Sequence, residues 1–322
     1  MRHLILGGGG FIGGHVARQL TQAGEDVTIA GRRLPERQAL SAKPIAFTPF
    51  QLSDVDWDAL ISGFDVIHHY AWASIPQTAT DDPVSDLDVH VRSTLALLEA
   101  ARRVGGKRLI FTSSGGTVYG PLASGVARED DPLRPIGAYG AGKLAAENYI
   151  GVYHRSNWVD ARIARLSNPY GPGQDGGRGQ GLVSIFARKA LAGETLTIFG
   201  DGEIVRDYVH VKDVSSALCK LAMTPAELGP APVLNIGSGR GSSINDVVAM
   251  LSNQLRRTID TRYVPGREFD VRTSVLNVDR ARHLLGWTAH TSLEAGIAEL
   301  LAQFGAEAEM APALEEPLAG RL

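Results

Sequence analysis

A glycine turn at residue 7 restricts the possible folds more than any other feature of the chain. It reads Gly7-Gly8-Gly9-Gly10-Phe11-Ile12-Gly13, with the spacing Gly7-x-x-Gly10-x-x-Gly13. The apolar run Leu4-Ile5-Leu6 precedes it, and a helix-like segment, His15 to Ala23, follows. Strand, glycine turn and helix in that order let a backbone approach a pyrophosphate, which the helix N-terminus meets with N–H donors and a partial positive charge. Gly7, Gly10, Phe11, Ile12 and Gly13 are therefore candidates for binding a dinucleotide.

The chain then alternates between apolar strand patterns and helical ones. Strands are predicted at Asp26–Ala30, Asp65–His68, Arg108–Phe111 and Ala161–Arg165, with helices at Val89–Val104 and about Gly140–Arg155. This alternation predicts an α/β fold with a Rossmann-like, doubly wound parallel sheet. After Asn168 the character changes. Pro169 to Gly181 holds six glycines and two prolines and reads as a long loop. Residues 1–168 are expected to bind the dinucleotide, and residues 169–304 to form a smaller, discontinuous mixed α/β substrate domain. The strand-like runs Tyr208–Val211 and Val233–Ile236 are both open to rejoining the main sheet. The Ala/Glu/Pro-rich stretch 305–322 reads as a mobile tail.

Composition excludes several classes. The formal net charge of −3 offers no nucleic-acid footprint. The single cysteine, Cys219, cannot form an internal disulfide. No run of 18 apolar residues suggests a membrane span, and the opening strand-like run is too short and glycine-interrupted for a signal peptide. The cytoplasm is the expected location, with no metal, nucleic-acid or membrane partner.

Tyr139-Gly140-Ala141-Gly142-Lys143 places a tyrosine and a lysine four apart at a helix start, hence on one face. A tyrosine with a pKa of about 10 is a poor base at pH 7, and lowering it by three units takes about 4 kcal/mol. An adjacent ammonium and a cationic nicotinamide are charges of the kind that can provide this. A second Tyr-x-x-x-Lys, Tyr208 to Lys212, reads as a strand, which separates its ends by about 13 Å and rules out the same pair. Before Tyr139 comes Phe111-Thr112-Ser113-Ser114-Gly115-Gly116-Thr117-Val118-Tyr119-Gly120, just past an apolar strand. Strand C-termini carry the site in open α/β sheets. The competing reading of Ser113 and Ser114 is strand-end turn chemistry.

The G-x-x-G-x-x-G form resembles the short-chain dehydrogenase/reductase superfamily, and Gly10-Phe11-Ile12-Gly13 resembles its extended branch. The later segments extend the likeness over about residues 1–303. They are Ser113 to Gly120, Tyr139 to Lys143, Arg165-Leu166-Ser167-Asn168-Pro169-Tyr170-Gly171-Pro172, Gly200-Asp201-Gly202-Glu203, Arg206 to Asp213, Arg267, Asp270 and Leu285-Gly286-Trp287. Together they resemble the NAD-dependent epimerase/dehydratase family, and within it the UDP-galactose and UDP-N-acetylglucosamine 4-epimerases. The resemblance implies a catalytic triad of Ser114, Tyr139 and Lys143, with Lys143 also at the cofactor and Thr117 as a secondary substrate contact. It further implies that Asn168, Arg206 and Arg267 meet the phosphates of a nucleotide sugar and that Asp270 meets the uridine ribose. Structural ion pairs, Arg206–Asp207 and Arg267–Asp270, are the competing reading.

Three departures from the family pattern bear on chemistry. The second strand ends Gly31-Arg32-Arg33, where NAD enzymes usually carry an acid for the ribose 2′-hydroxyl. Arg32 and Arg33 are therefore candidates to hold a 2′-phosphate, which leans the cofactor, NAD or NADP, toward NADP. Gln51 stands where the family often has an aspartate near the adenine. Gly115 and Gly116 replace the proton-transferring residues of the related dehydratases and decarboxylases. The remaining expectation is 4-epimerisation: Tyr139 takes the C4 hydroxyl proton as hydride leaves C4, the keto sugar turns over, and hydride returns to its other face. The residue seven after the phosphate-binding arginine lines the pocket beside the sugar C2 substituent in the family. Here it is Ser274, small enough to admit an acetamido group. An NADPH-dependent keto-sugar reductase and a non-catalytic dinucleotide sensor are the alternatives. The resemblance also implies a homodimer built on the helices Val89–Val104 and Gly140–Arg155, although core packing explains their apolar faces equally well.

Overall fold

The computed structural model describes residues 1–32, 45–174, 181–225, 233–266 and 271–310, with the side chains of 308–310 excepted. Its strands are β1 (Arg2–Leu6), β2 (Asp26–Gly31), β3 (Ala46–Pro49), β4 (Val66–His69), β5 (Arg108–Ser114), β6 (Val126–Ala127), β7 (Asp160–Leu166), β8 (Asn168–Tyr170), β9 (Leu196–Phe199), β10 (Val205–His210), β11 (Val233–Ile236), β12 (Gly241–Ser243), β13 (Thr261–Val264) and β14 (Thr273–Leu276). The helices are α1 (Phe11–Gln22), α2 (Trp57–Ile61), α3 (Pro76–Asp81), α4 (Pro83–Asp86), α5 (Arg92–Val104), α6 (Gly115–Val118), α7 (Ala138–Arg155), α8 (Leu182–Ala192), α9 (Val211–Met223), α10 (Ile244–Leu255), α11 (Asp279–Leu285) and α12 (Leu293–Met310).

Seven strands form one parallel sheet in the order β11-β7-β5-β4-β1-β2-β3. This is the Rossmann-like doubly wound α/β sheet that the alternation predicts. Its central strands are buried on both faces, so they read as continuous apolar runs: Leu4, Ile5 and Leu6 are each 0% exposed. One face packs Ile5 and Ile29 against Val16 and Leu20 of α1 and Leu218 of α9. The other packs Leu4, Leu6 and Phe111 against Leu97 and Leu98 of α5 and Ile150 of α7. Each such side chain contributes about 1.5–3 kcal/mol on burial. A separate core joins Val183 and Phe186 of α8, Val247 and Leu251 of α10 and Leu300 of α12.

The two segments open to rejoining the main sheet behave differently. β11 pairs with β7 there, whereas β10 joins a smaller sheet of order β12-β10-β14-β6, with β8 on its flank. Tyr208 thus lies on β10, and Lys212, on α9, pairs instead with Glu299. Three other readings need correction. The stretch expected as a loop from Pro169 begins inside β8, whose hydrogen-bond partners come from β10. Helix α1 starts at Phe11, directly from the glycine turn, and a π-helical turn at Leu87–Val91 precedes α5. Beyond these three, residues 305–310 of the stretch 305–322 lie in α12, and 311–322 lie outside the described residues.

Candidate active site

The glycine turn closes with Gly10 N–H donating to Gly7 O at 2.9 Å. A Cβ on Gly13 would lie 2.4 Å from that same carbonyl oxygen, so the helix can sit this close to the turn only without a side chain there. Gly10 is the N-cap of α1; no side chain caps the first turn, which also carries no acid. The amides that α1 leaves without intrahelical partners are thus not taken by a capping side chain, and Phe11 and Ile12 lie in that first turn. Such a terminus fits a pyrophosphate. Gly31 ends β2 and Arg32 follows it, exposed; Gln51 is also exposed. Arg33 lies outside the described residues.

β5 delivers Ser114 at its C-terminal end, where Ser114 is the N-cap of the short helix α6. The Thr117 hydroxyl bonds the Ser114 carbonyl oxygen at 3.4 Å. α7 lays Tyr139 and Lys143 on one face, and Gly140 brings that helix onto α6: a Cβ there would lie 2.6 Å from Thr117 O. The fold therefore brings together the segments carrying Ser114, Thr117, Tyr139 and Lys143. Gly115 is packed, its Cβ position 2.6 Å from Leu276, whereas a Cβ on Gly116 would meet open space.

Lys143 is 3% exposed and donates to Thr112 O at 2.9 Å. Burial lowers its pKa to about 7, against the opposing pull of Glu147 and Asp86. Burial, and next the Asp86 carboxylate, push the Tyr139 hydroxyl above its ordinary value. By itself, then, the protein makes Tyr139 a weaker acid. This is opposite to the lowering that base chemistry needs.

In the smaller sheet, β10 pairs in parallel with both β8 and β14. Asn168 Nδ2 donates to Asp207 O at 3.1 Å. The Arg206 guanidinium is anchored through Nη1 to Val271 O at 2.6 Å and Val205 O at 2.9 Å. Ser274 is the register partner of Arg206 on the parallel strand β14, so the two side chains leave the sheet on the same side. Arg267 and Asp270 lie outside the described residues. The Asp207 carboxylate, 0% exposed, accepts from Ser167 Oγ, Ser238 N and Oγ, Gly239 N and Leu276 N, and so ties β10 to the loops after β7 and β11 and to β14.

Sequence reasoning missed Trp72, Asp86 and His90, which gather around Lys143. Trp72 follows the C-terminal end of β4, and the strand-end rule that singled out Ser114 applies equally there. Among the described residues no group of three His, Cys, Asp or Glu could hold a metal ion, and no helix is long and apolar enough to cross a membrane.

Known proteins share this architecture. The model of the NAD dependent epimerase/dehydratase family matches residues 3–237. A UDP-glucose 4-epimerase from Mycolicibacterium smegmatis is 35% identical over 311 residues, covering 94% of this chain and 98% of the relative. The crystal structure of a Thermotoga maritima UDP-glucose 4-epimerase with UDP-glucose matches with a TM-score of 0.88 and 32% identity, covering 96% of this chain and 100% of that one. The Thermus thermophilus UDP-glucose 4-epimerase complex with NAD gives a TM-score of 0.86 and 30% identity, covering 95% and 99%. The chain belongs to the NAD dependent epimerase/dehydratase family.

Proposed function

We propose that the protein is a 4-epimerase of a UDP-linked hexose or N-acetylhexosamine. The observation that carries this reading is the α6–α7 junction. The segments that carry Ser114, Thr117, Tyr139 and Lys143 meet there, while positions 115 and 116 offer no group that moves a proton. Dehydration and decarboxylation lack their acid and base in such a site, and reversible oxidation at one carbon remains. UDP-glucose 4-epimerase relatives of nearly the same length support the choice of substrate class.

In this reading Gly7, Gly10, Phe11, Ile12 and Gly13 hold the pyrophosphate of the nicotinamide dinucleotide, which supplies a reversible hydride acceptor when bound. Ser114 holds the sugar 4-oxygen. Tyr139 takes the C4 hydroxyl proton as the C4–H bond breaks, and gives it back when the C4–H bond re-forms on the opposite face of the 4-keto sugar. Lys143, when protonated, places a positive charge beside Tyr139. Asn168 and Arg206 face the UDP phosphates, joined by Arg267, and Asp270 meets the ribose. Residues 1–168, with β11, serve the dinucleotide, and residues 169–304 serve the sugar nucleotide.

The complex of a similar epimerase with NAD supports NAD as the cofactor. A keto-sugar reductase is the second reading, favoured by the carboxylate-free end of β2 at Gly31-Arg32. Incubating purified protein with UDP-galactose separates the two. An epimerase forms UDP-glucose with only catalytic cofactor, whereas a keto-sugar reductase leaves UDP-galactose unchanged and consumes reduced cofactor mole for mole only when given a nucleotide keto sugar. Finding neither conversion, with these or the N-acetylated sugars, would remove the epimerase reading.

Assembly as a homodimer is proposed on the exposed apolar side chains of the segment before α5, Val84 (77% exposed) and Leu87 (56%), and of α7, Tyr149 and Val152. Sedimentation of wild type and of Leu87→Glu tests it.

A further inference from the structure

The Tyr139–Lys143 face of α7 packs on a cluster that the chemistry above does not use. The Trp72 indole stacks on the His90 imidazole, with centroids 4.6 Å apart and planes 17° apart. Lys143 Nζ lies 3.8 Å from the centre of a Trp72 ring, and the indole meets the Tyr139 ring at a steep angle, 6.3 Å away. Gly142 makes room for this arrangement: its Cβ position is 3.5 Å from Trp72 Cζ2 and 3.1 Å from Asp86 Oδ2. Asp86, which accepts from the Ser74 hydroxyl, is 3.7 Å from His90 Nε2. Trp72 Nε1 and His90 Nδ1 are buried without hydrogen-bond partners among the described residues. Ring stacking and the Asp86 contact, with no hydrogen bond from either of these nitrogens, hold the pair in place.

A buried ammonium loses its water, and among the described residues the hydrogen bond that Lys143 makes in return is the one to Thr112 O. A desolvated indole face is the strongest aromatic partner for such a charge. We propose that Trp72 is a positioning residue: its indole face holds the protonated Lys143 side chain against the Thr112 carbonyl and beside Tyr139. This rests on the roles given to Tyr139 and Lys143 above. The other groups facing Lys143 are Glu147 and Tyr139 on its own helix, Asp86 on α4, His90 in the π-helical turn and His69 on β4. Both acids favour the charge. His69 and His90 are held neutral by burial, with pKa values of about 3 and about 4, and so do not oppose it near pH 7.

The π face stabilises only the charged amine, so removing it lowers the pH at which Lys143 loses its proton. In Trp72→Leu and Trp72→Met the alkaline limb of the kcat profile is expected to move down by about one pH unit, with KM changed less than about threefold. Trp72→Phe is expected to bring the limb back toward wild type. A second readout does not depend on turnover: the pH dependence of Lys143 acetylation relative to the exposed Lys212, followed by peptide mass spectrometry, is expected to shift the same way. An unchanged Lys143 acetylation profile in both aliphatic variants overturns the proposal. So does an equal loss of kcat at every pH in all three variants, which is the mark of a purely structural role. Should Tyr139→Phe remain active, the catalytic assignment fails, and the acetylation profile still decides whether Trp72 governs Lys143.

Discussion

Gly140 and Thr117 meet backbone to backbone: a Cβ on Gly140 would lie 2.6 Å from the Thr117 carbonyl oxygen. In an ordinary helix interior, alanine in place of glycine stabilises by about 1 kcal/mol. Here the sign is expected to reverse, because the methyl would drive α7 off the segment that carries Ser114. Gly140→Ala is predicted to lower the melting temperature and to cut kcat roughly tenfold or more while cofactor stays bound. A variant more stable than wild type and fully active would show that this contact does not set the site.

Tyr139→Phe keeps the ring that packs on Trp72 and removes the hydroxyl. Turnover is expected to fall by about 10²–10⁴-fold, the range typical of a lost proton-transfer group, with cofactor content unchanged. Activity within about tenfold of wild type would end the assignment of Tyr139 as the base.

The end of β2 supplies no carboxylate against a 2′-phosphate and places exposed Arg32 next in line. Titration of apo-protein is predicted to give an NADP affinity within about tenfold of that for NAD. Arg32→Ala is expected to weaken NADP several-fold and leave NAD unchanged, the difference being one guanidinium–phosphate contact. Equal effects on both cofactors would make Arg32 a bystander.

Ser274 and Arg206 leave neighbouring strands on the same side of the sheet, which places a small residue beside the proposed phosphate contact. Overfilling a packed pocket costs about 1–3 kcal/mol. Ser274→Tyr is therefore expected to lower kcat/KM for UDP-N-acetylgalactosamine by about tenfold or more relative to UDP-galactose. If the variant handles both sugars as wild type does, Ser274 is not the gate.

Acid stability has a calculable sign. Burial lowers His15 and His90 to about 4, His69 to about 3, and His68 well below its ordinary value of 6.5. The unfolded chain takes up protons that the folded chain refuses, so stability is fully present above pH 6.5 and falls as pH drops toward 4. Urea unfolding at pH 7.5, 6 and 5 is expected to show a declining midpoint before most carboxylates titrate. His69→Gln is expected to flatten that decline; a midpoint flat down to pH 5 in wild type would contradict the burial of these rings.

The readable parts of this protein are its local periods. Strand, glycine turn and helix follow one another within the first 22 residues, and Tyr139 and Lys143 share a face because a helix repeats every 3.6 residues. Those relations need only the chain's own geometry, so the sequence by itself determined the parallel α/β sheet and the pairing of Tyr139 with Lys143. The choice of partner strands is different. Val205–His210 and Val233–Ile236 look alike as sequences, yet one pairs with β8, β12 and β14 and the other with β7. A strand's pattern states that it pairs, and only the packing of the remaining chain decides with what. The same holds for β8, whose three residues gain their bonds from β10, and for the alignment of Ser274 with Arg206. Electrostatics were least legible. The raised Tyr139 hydroxyl is an effect of burial and of Asp86, and the Lys143 amine is lowered to about 7 by burial against the pull of Glu147 and Asp86, all brought near by the fold. The Trp72 indole reaches Lys143 only because the segment after β4 lies against α7 at Gly142, a distance in space that no spacing along the chain encodes.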